Sequence, residues 1–361
     1  MLWIETAMNA DQPAAPQVPY QLVPTNVPGA WVSAWPPEGF DPNVEGAAAR
    51  ARAGMPWRRP DASDPQGLRT AWERAFSHPW PTAGLIVPRL EPQPGVTHNV
   101  RGLKKASDGS FTSNNWAGGV VAGTWTGAIG YWHIPTVIAP AEPQGSEGGW
   151  NSSSWVGLDG TYGSNDVLQA GVQQRVDSGD NASYVAWYEW FAPQQPTSPG
   201  YIFQTNIPNF SVSPGDTVYC SVQYGAGSAQ VSFGNEANGE HFSITLAPPP
   251  GATFNGNCAE WIMEAPDGGE TTASLPSFTP VAFTSAVCCG PNKSSSNPLN
   301  GDTWNIVAFG TTLTSVALAT DAVTISYAGP TFWVDDDLTN FSSGVPAVGG
   351  SALDGYWGSD S

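Results

Sequence analysis

The sequence predicts an all-β domain of the sandwich or barrel kind behind a Pro-rich N-terminal region, and three observations predict it. Charged residues make up 12% of 361 positions while Gly (41) and Pro (34) are abundant. That balance suits many short strands joined by turns better than long surface helices. Beyond about residue 110 the chain becomes a series of short Trp-, Val- and Thr-rich runs bounded by Gly, Pro, Asn and Asp. The charge changes at the same place. Ten of the 12 Lys and Arg and ten of the 31 Asp and Glu lie within residues 1–110, so Arg175 and Lys293 face 21 acids in the remainder, and the net charge of −19 belongs to the body alone.

The N-terminal region holds one helical pattern, from Pro65 to His78, where Leu68, Trp72 and Phe76 recur every four residues. Arg101 to Ser110 reads as an exposed linker. Strands are expected at Trp116–Val121, Ile129–Ile134, Trp155–Leu158, Val167–Val176 and Tyr184–Phe191. Further strands are expected at Thr217–Gln223, Glu240–Leu246, Glu260–Glu264, Val281–Ala286 and Ala322–Tyr327. The division is therefore 1–110 as a basic Pro-rich pro-region and linker, 111–328 as the β domain, and 329–361 as a loosely ordered C-terminal extension.

A body this acidic repels nucleic acid and anionic membranes, and its self-repulsion eases as carboxylates protonate, so an acidic working environment is expected. No run has the length of a membrane span, and the start lacks the basic and apolar segments of an ordinary signal peptide. Cys220, Cys258, Cys288 and Cys289 lack metal-motif spacing, and His78, His98, His133 and His241 are scattered, so no metal or cofactor is expected. One or two disulfides, or simply buried thiols, fit better, and sequence does not choose among the three two-bridge pairings.

Period-two alternation singles out one face of three strands. Leu168, Ala170 and Val172 suit a core, which turns Gln169, Gly171 and Gln173 the other way. Ala259, Trp261 and Met263 are apolar, with Glu260 and Glu264 opposite; Val156 and Leu158 likewise leave Trp155, Gly157 and Asp159 across from them. If that face is concave it describes a substrate cleft; a solvated sheet face would alternate in the same way. Trp116 suits core packing as well as a cleft wall. No GxSxG elbow, phosphate loop or aspartic-peptidase Asp-Thr/Ser-Gly occurs, and the Asp159-Gly160 and Asp267-Gly268 dipeptides read as turns. Glu189, within Trp187-Tyr-Glu-Trp190, offers a second carboxylate; with Glu260 and nearby indoles it would suit a lectin-like sandwich that binds or hydrolyses carbohydrate.

In order along the chain stand Ser113-Asn-Asn-Trp-Ala-Gly118, Trp155-Val-Gly-Leu-Asp-Gly160, Leu168-Gln-Ala-Gly171, Ala186-Trp-Tyr-Glu-Trp190, Ala259-Glu-Trp-Ile-Met-Glu264 and Val281-Ala-Phe-Thr-Ser-Ala286. Together these six blocks, over residues 111–328, resemble the glutamic peptidases of the eqolisin family. The resemblance implies a lectin-like (concanavalin-like) sandwich of two antiparallel sheets and an acid-acting endopeptidase. Gln169 and Glu260 fall on the family's catalytic pair, and Trp116, Gly118, Trp155, Asp159, Gly171 and Glu189 on positions that line or support the cleft. It also implies a secreted, monomeric enzyme acting on polypeptides, made with an inhibitory basic pro-region and a mature start between Ala106 and Asn114. One departure stands out: Val185 replaces the Asp that fungal members often carry two residues before the Trp of the Trp-Tyr-Glu-Trp block.

Overall fold

A computed structural model describes residues 22–33, 40–53, 55, 57–77, 84–107, 109–140, 149–193, 203–266, 275–308 and 310–329. The expected C-terminal extension, apart from Gly329, lies outside the described residues.

Two large sheets pack face to face. Reading across one, the strands are Leu22–Pro24, Ala30–Ser33, His241–Leu246, Ser228–Asn235, Thr217–Gly225, Gly127–His133, Val281–Cys289, Ala322–Tyr327 and Thr314–Ala319. The other runs Glu91–Pro92, Thr205–Ile207, Ala182–Phe191, Val167–Val176, Trp150–Asp159, Cys258–Glu264, Trp116–Ala122, Asp302–Ala308, Phe111–Ser113 and Lys104–Lys105. Pairing is antiparallel except where Phe111–Ser113 runs parallel to Asp302–Ala308. The all-β sandwich expected from composition is the observed fold.

The core lies between the sheets and takes the residues that alternation assigned to it: Leu168, Ala170 and Val172; Ala259, Trp261 and Met263; Val156 and Leu158. Indoles tie the layers together. Trp261 donates from Nε1 to the Ile129 carbonyl at 2.8 Å, and Trp132 donates to Ser154 Oγ at 3.0 Å. Gly130 makes room for Trp261, since a Cβ there would stand 2.8 Å from Cδ1 of the indole. Trp261 and Trp132 therefore each contribute buried area and also satisfy their one polar atom.

The N-terminal region packs on both sheets. Helix Gln66–Phe76 forms where the four-residue repeat placed it, and Leu68, Trp72 and Phe76 bury against Ile129, Tyr131 and Val287 on the outside of the first sheet. The helix Ala47–Arg52 is too short to show a period in sequence. Few charge pairs join this region to the acidic body. Arg74 meets Glu236 at 2.8 Å and stacks 3.8 Å over the Tyr131 ring, while Asp61 meets Lys293 at 2.6 Å with the signs reversed. Such exposed pairs contribute little, and apolar contact carries most of the docking. The exposed linker expected at 101–110 is exposed at Leu103, Lys104 and Lys105, but Lys104–Lys105 is hydrogen-bonded as a strand to Phe111–Ser113. The cysteines are free thiols, with Cys220, Cys258 and Cys288 buried and Cys289 partly so, which answers the disulfide expectation in favour of buried thiols. No described helix is long and apolar enough to cross a membrane.

Candidate active site

Strand register brings the two proposed catalytic side chains together. Gln169 pairs with Gly157 on one side of the Trp150–Asp159 strand, and Glu260 pairs with the same Gly157 on the other. All three lie on the face turned away from the core, so the Gln and the Glu flank a residue with no side chain. Their Cα atoms are two strand spacings apart, roughly 9.5 Å, a gap that two five-atom side chains can narrow. Gly157 keeps it open: a Cβ there would stand 2.7 Å from the Trp155 ring and 2.9 Å from Glu260 Oε1.

Around this row the outer face is aromatic. Trp116, Trp155, Trp187 and Trp304 form one buried cluster with Val120, Val167, Cys258 and Ile262. Trp116 stands edge-on to Trp155 at 4.8 Å and packs within this cluster. Gly171 lies opposite Trp155, and a Cβ there would come 2.2 Å from the Ser154 carbonyl oxygen. Gly118, opposite Ile262, would bring a Cβ to 2.0 Å from the Trp261 carbonyl oxygen. Both glycines thus permit close strand approach beneath the site. Asp159 sits at the strand end with φ of +73° and accepts the backbone N–H groups of Asn255, Gly256 and Asn257 at 2.7–3.0 Å. It shapes the turn that leads into the Glu260 strand.

Residues 93–101 cross this face as a strap. Gln93 N donates to the Gln204 carbonyl at 2.8 Å, and Gln204 N donates to the Val96 carbonyl at 3.0 Å. His98 N donates to Glu189 Oε2 at 2.9 Å, and the His98 carbonyl accepts from Gln169 Nε2 at 2.7 Å. Asn115 then holds the far side, donating to the Asn99 carbonyl at 2.9 Å and accepting from Arg101 N at 2.8 Å. Val100 and Phe111 pack on the aromatic cluster.

The His98 side chain is wholly buried. Its ring stacks on Trp187 with centroids 3.9 Å apart and planes 9° from parallel. Nδ1 lies 2.7 Å from Glu264 Oε2, and Nε2 lies 2.7 Å from Gln204 Oε1. The Gln204 amide orientation follows from its partners, because Nε2 donates to Gln173 and Asn206. An imidazole between two acceptor oxygens can satisfy both only as the doubly protonated cation. Burial opposes that charge, but Glu264, and then Glu189 and Gln204, outweigh it and hold His98 at about 9. Glu264 is anchored in turn by Trp155 Nε1 at 2.9 Å and Asn115 Nδ2 at 3.1 Å.

Gln169 has both amide hydrogens engaged, one on the His98 carbonyl and the other on Glu189 Oε2 at 2.9 Å. That fixes which end of the amide faces the strap and leaves Oε1 without a protein partner. Glu260 is fully buried, and among the described residues no N–H or O–H donates to its oxygens, while the Cys258 thiol lies beside them. Burial pushes its carboxyl well above the ordinary range; the neighbouring Cys258 thiol opposes this and Asp159 adds to it. Burial likewise raises Glu189 to about 8, against the pull of His98. Glu189 and Glu260 are three strand spacings apart with Gln169 and Gly157 between them, and Glu189 is engaged by the Gln169 amide and His98 N.

The Peptidase A4 family model matches residues 114–327. The chain belongs to the Peptidase A4 family. It is a glutamic peptidase, a hydrolase, as the eqolisin resemblance implied. Among solved structures it is similar to scytalido-glutamic peptidase bound to a transition-state analogue inhibitor (20% identity, TM-score 0.49, 60% of this chain and 98% of that one). It is also similar to SCP-B, an eqolisin in complex with the tripeptide Ala-Ile-His (20%, 0.47, 60% and 98%). A third is aspergilloglutamic peptidase from Aspergillus niger (27%, 0.41, 50% and 99%). Comparison with curated proteins finds no match. In this peptidase the residues that sequence reasoning passed over are His98, Gln204 and Asn115. His98 stood among scattered histidines, and no local pattern marks a residue whose partners are 91, 106 and 166 positions away.

Proposed function

We propose that the protein is an acid-acting, exported endopeptidase in which Glu260 activates water and Gln169 stabilises the oxyanion, and that its N-terminal region is an inhibitory pro-region. The observation that carries the reading is a peptide carbonyl, that of His98, hydrogen-bonded to Gln169 Nε2 across Gly157 from the buried Glu260 carboxyl. Amide hydrolysis needs a base for water, a donor for the oxyanion and an acid for the departing amine. Glu260 supplies the first and third in turn. Gln169 supplies the second, with Glu189 holding its other N–H so that one hydrogen always points at the carbonyl. A Gln stays neutral as pH falls, where a second carboxylate would protonate. Trp155 and Trp116 wall the site, and Gly118 and Gly171 let the strands under it approach.

The strap explains inhibition. It lies against Gln169 and Glu189 and so keeps other polypeptides from that place. Burial holds the Glu260 carboxyl raised in the closed site, and water entering beside it, whether with the strap or a later substrate in place, returns it toward the ordinary carboxylate range. Mixing the acid-treated protein with a denatured polypeptide at about pH 4, in the presence of pepstatin, tests the reading. Fragments are expected; an unchanged polypeptide at every pH would leave a binding module instead.

The same carboxyls make stability depend on pH. Burial raises Glu189 (to about 8), Glu260, Asp159 and Asp166 above their ordinary values. A group raised on folding contributes stability below its unfolded pKa and loses it as pH climbs through the folded one. His98, raised to about 9, acts in the same direction. Asp61, Asp64 and Asp177 are lowered, by Lys293, Arg58 and the Asn181 amide in turn, and their contribution fades only as pH falls below about 4. Thermal unfolding is therefore expected at a higher temperature near pH 5 than near pH 8, by roughly 5 °C or more. A midpoint that rises with pH over that interval would contradict it.

A further inference from the structure

We propose that the His98–Asn99 bond is the first bond this peptidase cuts in its own chain, and that the pocket around His98 selects histidine on the carbonyl side of the bond to be cut. The inference rests on the Gln169/Glu260 reading. Its observation is separate: the strap lies in the site as a substrate would, with His98 supplying the carbonyl to Gln169.

The strap is held by backbone groups on both sides of that carbonyl. Val96 and His98 are held through Gln204 N and Glu189, and Asn99 and Arg101 through Asn115, with Asn114 N adding a bond to the Arg101 carbonyl at 2.8 Å. Such contacts grip any sequence. Selection comes from the ring pocket: the Trp187 face fits a flat side chain, and Glu264 Oε2 and Gln204 Oε1 face each other across it as acceptors. A protonated histidine, with one N–H at each end of a short flat ring, answers both. An aliphatic side chain leaves Gln204 Oε1 unpaired and takes the cation from buried Glu264, whose Oε2 keeps only the Trp155 N–H. In the acid range a substrate histidine is already charged.

The cut balances without any further reactant. Water admitted beside ionised Glu260 loses one proton to that carboxylate as its oxygen bonds to the His98 carbonyl carbon. The oxyanion keeps its hydrogen bond from Gln169 Nε2. The carbon–nitrogen bond then breaks, its electron pair passing to the Asn99 nitrogen, which takes the proton from Glu260. One fragment ends in a carboxylic acid at His98 and the other begins with an amine at Asn99. This cut lies upstream of Ala106–Asn114, where the resemblance implied a mature start; Lys104–Lys105 and Phe111–Ser113 are built into the sheet and are not laid over the catalytic pair.

The test acidifies the full chain to about pH 4 together with a denatured polypeptide and follows new N-termini by mass spectrometry over time. A first new terminus at Asn99, absent in Glu260→Gln, is expected. If the polypeptide is cut while other bonds in the chain break first and His98–Asn99 stays whole, the proposal is overturned and the Gln169/Glu260 reading stands. If neither is cut, both fail. Processed enzyme is then given Val-Thr-His-Asn-Val-Arg, the sequence of residues 96–101, and the same peptide with Leu for His. Cleavage after His, with kcat/KM at least about tenfold lower for the Leu peptide, is expected; equal rates would overturn the selectivity.

Discussion

Glu260→Gln is expected to lower kcat on any peptide by about a thousandfold or more, because the base and the acid of the reaction are lost together. The substitution keeps the side chain's shape and puts a neutral amide where burial already disfavours charge, so the protein should fold and melt within about 2 °C of the parent. Gln169→Ala is the companion change. It removes the N–H aimed at the peptide carbonyl and should lower kcat by about 100- to 1,000-fold. A purified, folded variant of either kind with full activity would sink the assignment of the pair.

Gly157→Ala is expected to be nearly as harmful, although it deletes no chemical group. The new methyl would stand 2.9 Å from Glu260 Oε1 and 2.7 Å from the Trp155 ring, so carboxylate and indole must both move. A displacement near 1 Å at a reacting group costs on the order of 100-fold in rate. The crowded atoms are side chains at the outer face and not backbone, so the fold should survive. Circular dichroism and peptide hydrolysis, measured together, check this: a native spectrum with kcat down about 100-fold is expected. Unchanged kcat would mean that the space above Gly157 is not where the reaction happens.

Much of the fold could be read in advance because strands speak locally. The alternation through Leu168–Gln173 and Ala259–Glu264 assigned core and outer faces correctly, and the helix repeat at Leu68, Trp72 and Phe76 did the same. The strand Ser228–Asn235 is not among the strands expected from the sequence, although Ala229, Val231 and Phe233 alternate within it. The neighbourhood of the site was not legible. That Gln169 and Glu260 share Gly157 depends on which strands pair and in what register, a long-range choice with no local signature. The roles of the other residues separated for the same reason. Asp159 shapes a turn through three backbone N–H groups, whereas Glu189 orients the Gln169 amide directly. Charge was a partial guide. The acidic body agrees with buried carboxyls that favour low pH, yet the N-terminal region, which carries ten of the 12 basic residues, is docked mainly by Leu68, Trp72, Phe76 and their neighbours.

The measurement that bears most directly on the Gln169/Glu260 pair is the initial rate of peptide hydrolysis by the processed protein between about pH 2 and pH 8, in parent and Glu260→Gln forms. Expected is a rate that peaks in the acid range in the parent and is absent from the variant throughout. A parent that works best at neutral pH, or a variant that keeps the parent's profile, would contradict a glutamate-driven acid peptidase.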